Sequence, residues 1–214
     1  MKLLLTSSGL SSRYLAKELS SLLNGKSPAD TKVAFVPTAA NVESGNKDWV
    51  VNNFLNLWRY GYNYIDIIDP SAQDVDWQNR MAQADVIYLV GGNTFHLLHQ
   101  ARTTGFGDWL TEHLDDKVYV GGSASSILVT PNIGIASLGF GDENLPQLTD
   151  LNGLNWVGFE IAPHVPNSGT YEEVAAYAAT VKHKVYALDD FSAIKVDGQE
   201  IAVVGTGTWK VYND

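Results

Sequence analysis

Apolar residues in this chain recur with two different spacings, and the two alternate. Short continuous runs, Lys2 to Thr6 (KLLLT), Lys32 to Val36 (KVAFV), Tyr64 to Ile68 and Asp85 to Val90 (DVIYLV), stop at Ser-Ser-Gly, Pro37, Asp69-Pro70 and Gly91-Gly92-Asn93. This is the pattern of strands buried on both faces of a parallel sheet. Between them, apolar positions fall three and four apart, as on one face of a helix. Leu15, Leu19, Leu22 and Leu23 end at Asn24-Gly25; Trp49, Val50, Phe54, Leu57 and Trp58 end near Gly61; Asp76 to Ala84 is a shorter helix. Two more stripes follow, Phe95, Leu97, Leu98 and Ala101, then Trp109, Leu110 and Leu114. Strands alternating with helices at this spacing predict a three-layer αβα sandwich around a mostly parallel sheet.

Lys117 to Val120 then runs into YVGGSASSIL, Tyr119 to Leu128, where an apolar run meets two glycines and three small polar residues before helical spacing resumes. That reads as strand, tight turn, helix. Pro131 to Leu154 is an aperiodic excursion, long enough to be functional. Trp156 to Ile161 returns as a strand and ends in Pro163-His164. Thr170 opens a helix with Glu173 in capping-box position. Lys184 to Leu188 is a further strand before Asp189-Asp190. Ala193 to Val196 and Ile201 to Val204, joined at Asp197-Gly198 and followed by Thr208 to Tyr212, predict a closing β-hairpin.

Composition narrows the partners. At 214 residues the chain fits one domain, residues 1–214. A formal net charge of −10 without a lysine or arginine cluster argues against nucleic-acid or anionic-membrane partners. No cysteine is present, so disulfides, thiolate metal sites and a cysteine nucleophile are excluded. The first apolar run reads as a strand rather than a secretory leader, and no later run approaches membrane-spanning length. A soluble, cytoplasmic protein is expected.

Ser123 stands at the bend of the glycine-rich turn. In a nucleophile elbow, small neighbours let the chain turn sharply and expose the hydroxyl at the strand's carboxyl end, close to the positive end of the helix dipole. The simpler alternative is a serine that caps the helix. A nucleophilic serine needs a base, and the base needs an orienting group. Of five histidines, His96 and His99 lie three apart on a helix, too sparse a pair for zinc. His113 and His183 read as surface positions, and His164 alone follows a strand directly, in Ala162-Pro163-His164-Val165-Pro166. Two aspartates are candidates for the acid, Asp190 after the histidine and Asp142 before it, and spacing does not choose between them. Ala124, after the serine, and Gly92, in the neighbouring strand-end loop, are the natural N–H donors for an oxyanion.

GGNTFHLL and GGSASSILV, followed by PHV and then LDDFSAI, resemble the dipeptidase E (aspartyl dipeptidase) family of serine peptidases, which also includes cyanophycinases. The resemblance runs from the first strand to the closing hairpin. It implies the class I glutamine amidotransferase-like αβα fold, Ser123 as nucleophile, His164 as base, and Gly92 with Ala124 as oxyanion donors. Asp190 matches the acid of the cyanophycinase-like branch. The dipeptidase branch is credited with an aspartate between serine and histidine, which keeps Asp142 open. Ser125 stands where the family has glycine, and it would strain the elbow if that position required positive φ. The region after the histidine, NSGTYEEVAAYAATVKHK, contains no arginine, so aspartyl specificity is not carried over.

The reading is a serine-type exopeptidase or dipeptidase for short peptides, with Ser123, His164 and Asp190 catalytic and no metal or organic cofactor required. The alternative is an inactive relative that binds a small ligand or partner in the same pocket. A nucleotide binder is disfavoured, because the chain has neither a Walker motif nor a G-x-G-x-x-G fingerprint.

Overall fold

Alternation along the apolar runs decides which side chain enters which layer. The computed structural model describes residues 1–139 and 141–214. Its main sheet has seven strands in the order β3-β2-β4-β5-β1-β8-β9. β1 (Lys2–Thr6), β2 (Lys32–Val36), β3 (Tyr64–Ile67), β4 (Val86–Leu89) and β5 (Val118–Gly122) are mutually parallel. β8 (Ser192–Asp197) and β9 (Glu200–Gly205) form the expected hairpin, which adds to β1 antiparallel.

Leu4, Phe35, Tyr88 and Val120 point to one face, where α1 (Arg13–Ser21) and α2 (Asp48–Arg59) cover them with Leu15, Leu19, Phe54 and Leu57. Leu3, Leu5, Val36, Leu89 and Tyr119 point to the other face. There they meet α3 (Trp77–Ala82), α4 (Thr94–Thr103), α5 (Phe106–Glu112) and α6 (Ala124–Leu128). The α/β class and the three layers are as expected from the sequence.

The strand predicted at Trp156 to Ile161 is β6 (Phe159–Ala162), and it does not join the main sheet. It pairs in parallel with β7 (Lys184–Leu188), which pairs antiparallel with β10 (Trp209–Tyr212), making a separate three-stranded sheet. Asp189 sits at the split: its carboxylate accepts from Phe191 N (3.0 Å), Ser192 Oγ (2.8 Å) and Thr208 N (2.6 Å). These bonds clamp the three segments where the chain leaves one sheet for the other. Lining this second sheet and carrying the predicted Thr170–Glu173 capping box, α7 (Tyr171–Ala178) buries Val174 and Ala178. Among the described residues the excursion forms no strand, only a 3₁₀ turn at Gly134–Ser137 and an isolated bridge between Asn132 and Asn152. No helix among the described residues is long and apolar enough to cross a membrane.

Candidate active site

The carboxyl ends of β4 and β5 in the main sheet and of β6 and β7 in the small sheet converge on one spot, and Ser123 occupies it. Ser123 has φ 52° and ψ −114°, a conformation that costs a non-glycine residue on the order of 1–3 kcal/mol. The elbow can hold it because α6 lies tight on the sheet: a Cβ added to Gly121 would come within 2.8 Å of the Ser125 carbonyl oxygen. The hydroxyl does not cap α6, contrary to the simpler reading of a serine in this turn. Ser125 causes no strain, because the positive φ falls on Ser123 and Ser125 is helical and fully buried. Its Oγ donates to the Val90 carbonyl at 2.5 Å, a tie from helix to β4 that glycine could not make.

His164 follows β6 and also has positive φ, 61°. Its ring spans two oxygens, with Nε2 2.9 Å from Ser123 Oγ and Nδ1 2.5 Å from Asp190 Oδ1. A carboxylate only accepts, so Nδ1 carries the proton and Nε2 is left to accept from the serine hydroxyl. Asp190, one residue past the Asp189 clamp, also accepts from Asn167 Nδ2 at 3.3 Å and from Ser7 Oγ at 3.4 Å. The His164 hydrogen bond, helped by those from Asn167 and Ser7, holds its carboxyl below the ordinary aspartate range despite partial burial.

Asp142, the other candidate acid, is not hydrogen-bonded to the imidazole. Its Oδ2 accepts from the backbone N–H of Thr94, at the start of α4, at 2.6 Å. The Thr94 hydroxyl lies against the same carboxylate but makes no hydrogen bond of normal geometry. Burial raises the Asp142 carboxyl above its ordinary value. Nearby Glu43 is raised as well, by burial first and then by the charge of Asp142.

The predicted oxyanion donors flank the serine. Gly92 has φ 132°, and a Cβ there would collide with the Ala39 carbonyl at 2.3 Å, so only glycine brings this backbone in. Neither Gly92 N nor Ala124 N has an acceptor among the described residues. Two cavities open from the Ser123–His164 pair. One, of about 120 Å³, is lined chiefly by Ile127, Ile135, Leu138, Asp142 and Val174. The other, of about 220 Å³, lies between Ser7, Gly9, Trp49, Asn53 and the Gly91-Gly92 loop.

The sequence reading missed Ser7. It is fully buried after β1, and its Oγ accepts from the His164 backbone N–H at 2.6 Å while facing Asp190. Ser11 adds a bond from Oγ to the Asp190 carbonyl at 2.6 Å. A polar residue at the carboxyl end of a central strand was the available signal, since ligands bind at such ends. The other histidines stand apart. His96 and His99 line neither cavity, and His113 stacks on Trp109 with ring centroids 4.2 Å apart. His183 is partly exposed, and its Nε2 lies 2.6 Å from the carboxylate of Glu160, which is fully buried. Among the described residues no three histidine, aspartate or glutamate side chains group as metal ligands would.

The model of peptidase family S51 matches residues 3–204. An uncharacterized peptidase of Listeria monocytogenes is 31% identical over 206 residues, covering 93% of this chain and 96% of the relative. A peptidase E of Nostoc is 25% identical, covering 96% and 86%. The crystal structure of a candidate peptidase E protein from Listeria monocytogenes superposes with a TM-score of 0.81 at 24% identity, covering 96% of this chain and 98% of that one; at that identity the likeness speaks for the fold. The family match spans nearly the whole chain and includes the elbow: the chain belongs to peptidase family S51 and is a serine peptidase.

Proposed function

We propose that this peptidase hydrolyses dipeptides and other short peptides through Ser123, His164 and Asp190, within one domain spanning residues 1–214. In this reading Ser123 Oγ attacks the scissile carbonyl carbon while His164 Nε2 takes its proton. Asp190 keeps the imidazole in the tautomer that can accept, and it stabilises the imidazolium that forms. The N–H groups of Gly92 and Ala124 receive the developing oxyanion, each worth on the order of 3 kcal/mol in the transition state. His164 then returns the proton to the leaving amine, and water releases the acyl group from Ser123 by the same steps in reverse.

The observation that carries the reading is the unbroken relay Ser123 Oγ to His164 Nε2 to Nδ1 to Asp190, at 2.9 and 2.5 Å. It starts from a serine held in a strained elbow. The restriction to short substrates is supported by the two cavities, about 120 and 220 Å³, each with room for little more than one residue. The test is hydrolysis of a dipeptide panel by wild type and Ser123→Ala side by side, with labelling by a fluorophosphonate. Turnover and labelling at Ser123 that vanish in the variant are expected. Turnover that survives in Ser123→Ala would overturn the assignment.

A further inference from the structure

Asp142 is a carboxylate with little reason to be where it is. As a cap for α4 it is redundant in part, since Asn93 already fills the N-cap position and accepts from His96 N at 2.8 Å. Its burial works against its charge, and its charged neighbour Glu43 repels it. Of its two oxygens, only Oδ2 meets a hydrogen-bond donor of normal geometry among the described residues.

The cavity it lines supplies a reason. Ile127, Ile135, Leu138 and Val174 give it an aliphatic side, Thr94 and Ser168 add hydroxyls, Asp142 and His164 are the ionisable side chains among the described residues that line it, and Ser123 stands at its mouth. Among the described residues no lysine or arginine lines this cavity or the one opposite. A free peptide amino group sits two bonds from the carbonyl carbon that a serine would attack, so in an acyl-binding cavity it must lie within a few ångströms of Ser123. Asp142 borders that space.

We propose that Asp142 binds the α-ammonium of the substrate's amino-terminal residue, so that the enzyme removes a single small, uncharged, apolar amino-terminal residue and rejects amino-terminal aspartate. The inference rests on the reading of Ser123 as nucleophile. An ammonium would give Oδ1, which has no protein donor among the described residues, a charged partner, and would neutralise the repulsion between Asp142 and Glu43. A volume of about 120 Å³ holds a small aliphatic side chain. An aspartyl side chain would bring a second negative charge beside Asp142, with no lysine or arginine among the described lining residues to meet it. The departing part of the peptide then occupies the larger, neutral cavity beside Trp49 and Asn53.

The experiment compares kcat/KM for alanyl, N-acetylalanyl and aspartyl anilides in wild type and Asp142→Asn, with fluorophosphonate labelling and thermal melting of both proteins. Asparagine keeps an acceptor for Thr94 N–H, and the fluorophosphonate carries no ammonium. Wild type is expected to prefer the alanyl anilide to both others by about 100-fold or more, the scale of losing one partner of a desolvated charge pair. In Asp142→Asn that preference should fall below about 10-fold through KM, while labelling of Ser123 stays near the wild-type rate. Equal cleavage of the acetylated compound, a preference for aspartyl, or full discrimination in Asp142→Asn would each overturn the inference while leaving Ser123 labelled. Wild type that is labelled but cleaves none of the three also counts against it, because the alanyl compound meets every requirement set here. No labelling of wild type would remove the Ser123 reading and this inference together.

Discussion

Two aspartates stand near His164, and they are opposites. Asp190 hydrogen-bonds the imidazole, is supported by Ser7 and Asn167, and is held below its ordinary acidity range by those partners. Asp142 has one backbone N–H, a partly aliphatic cavity and a carboxylate neighbour, and it is pushed above that range. The same side chain is stabilised as an anion in the first place and destabilised in the second. A saturated carboxylate suits a fixed orienting role, because its charge is already satisfied before substrate arrives. An undersaturated one suits a ligand that brings its own positive charge.

The contrast breaks first at Asp190. Asp190→Asn should lower kcat by roughly 10³–10⁴ with little change in KM, since the wrong imidazole tautomer would face the serine. Steady-state kinetics of Asp190→Asn beside Asp142→Asn checks it. A KM effect at Asp190, or a kcat effect of that size at Asp142, would exchange the two roles.

Ser7→Ala is expected to be next. It leaves the His164 backbone N–H without its acceptor in a half-buried site and should destabilise the fold by about 1–3 kcal/mol. The same change should slow turnover roughly tenfold by loosening both His164 and Asp190. Denaturant titration paired with kcat reads both, and an unchanged kcat would show that Ser7 supports the fold only.

The smallest effects concern stability and pH, and they differ in sign. Asp142 has a raised folded-state value, so its contribution is present below the ordinary 3.8 and is lost as pH rises through the folded value. Asp142→Asn should therefore melt higher than wild type at pH 7, by about 2–4 °C if the cost is on the order of 1 kcal/mol. The gap should close as pH falls toward 3.8. Asp190 is lowered, so its contribution is present above 3.8 and is lost as pH falls through the folded value. Asp190→Asn should melt lower than wild type at pH 7, with that gap closing only at more acid pH. Melting curves of the two variants from pH 3 to 8 decide it, and a destabilised Asp142→Asn would make Asp142 a structural cap.

Much of this was written in the chain. Continuous apolar runs gave the parallel strands, because a strand covered on both faces has no polar positions to reveal. The elbow was legible because Gly121, Gly122 and the small residues after Ser123 leave few other ways to join a buried strand to a helix. His164 stood out by its place just after a strand, and family S51 membership agrees with the motifs that surround these residues. Local spacing could settle none of what required distant segments to meet. Asp142 and Asp190 are equivalent in sequence terms, and only the packing of β6 beside β7, 26 residues apart at His164 and Asp190, puts one of them on the imidazole. Where that pair departs into its own sheet, Asp189 binds Thr208, 19 residues away. Ser7, 157 residues from His164, was marked only as a polar residue at a strand's carboxyl end, and nothing local tied it to the histidine. Sequence fixes what each segment can become through short-range sterics and burial, whereas the electrostatics of a site depend on which groups the fold brings within hydrogen-bond reach.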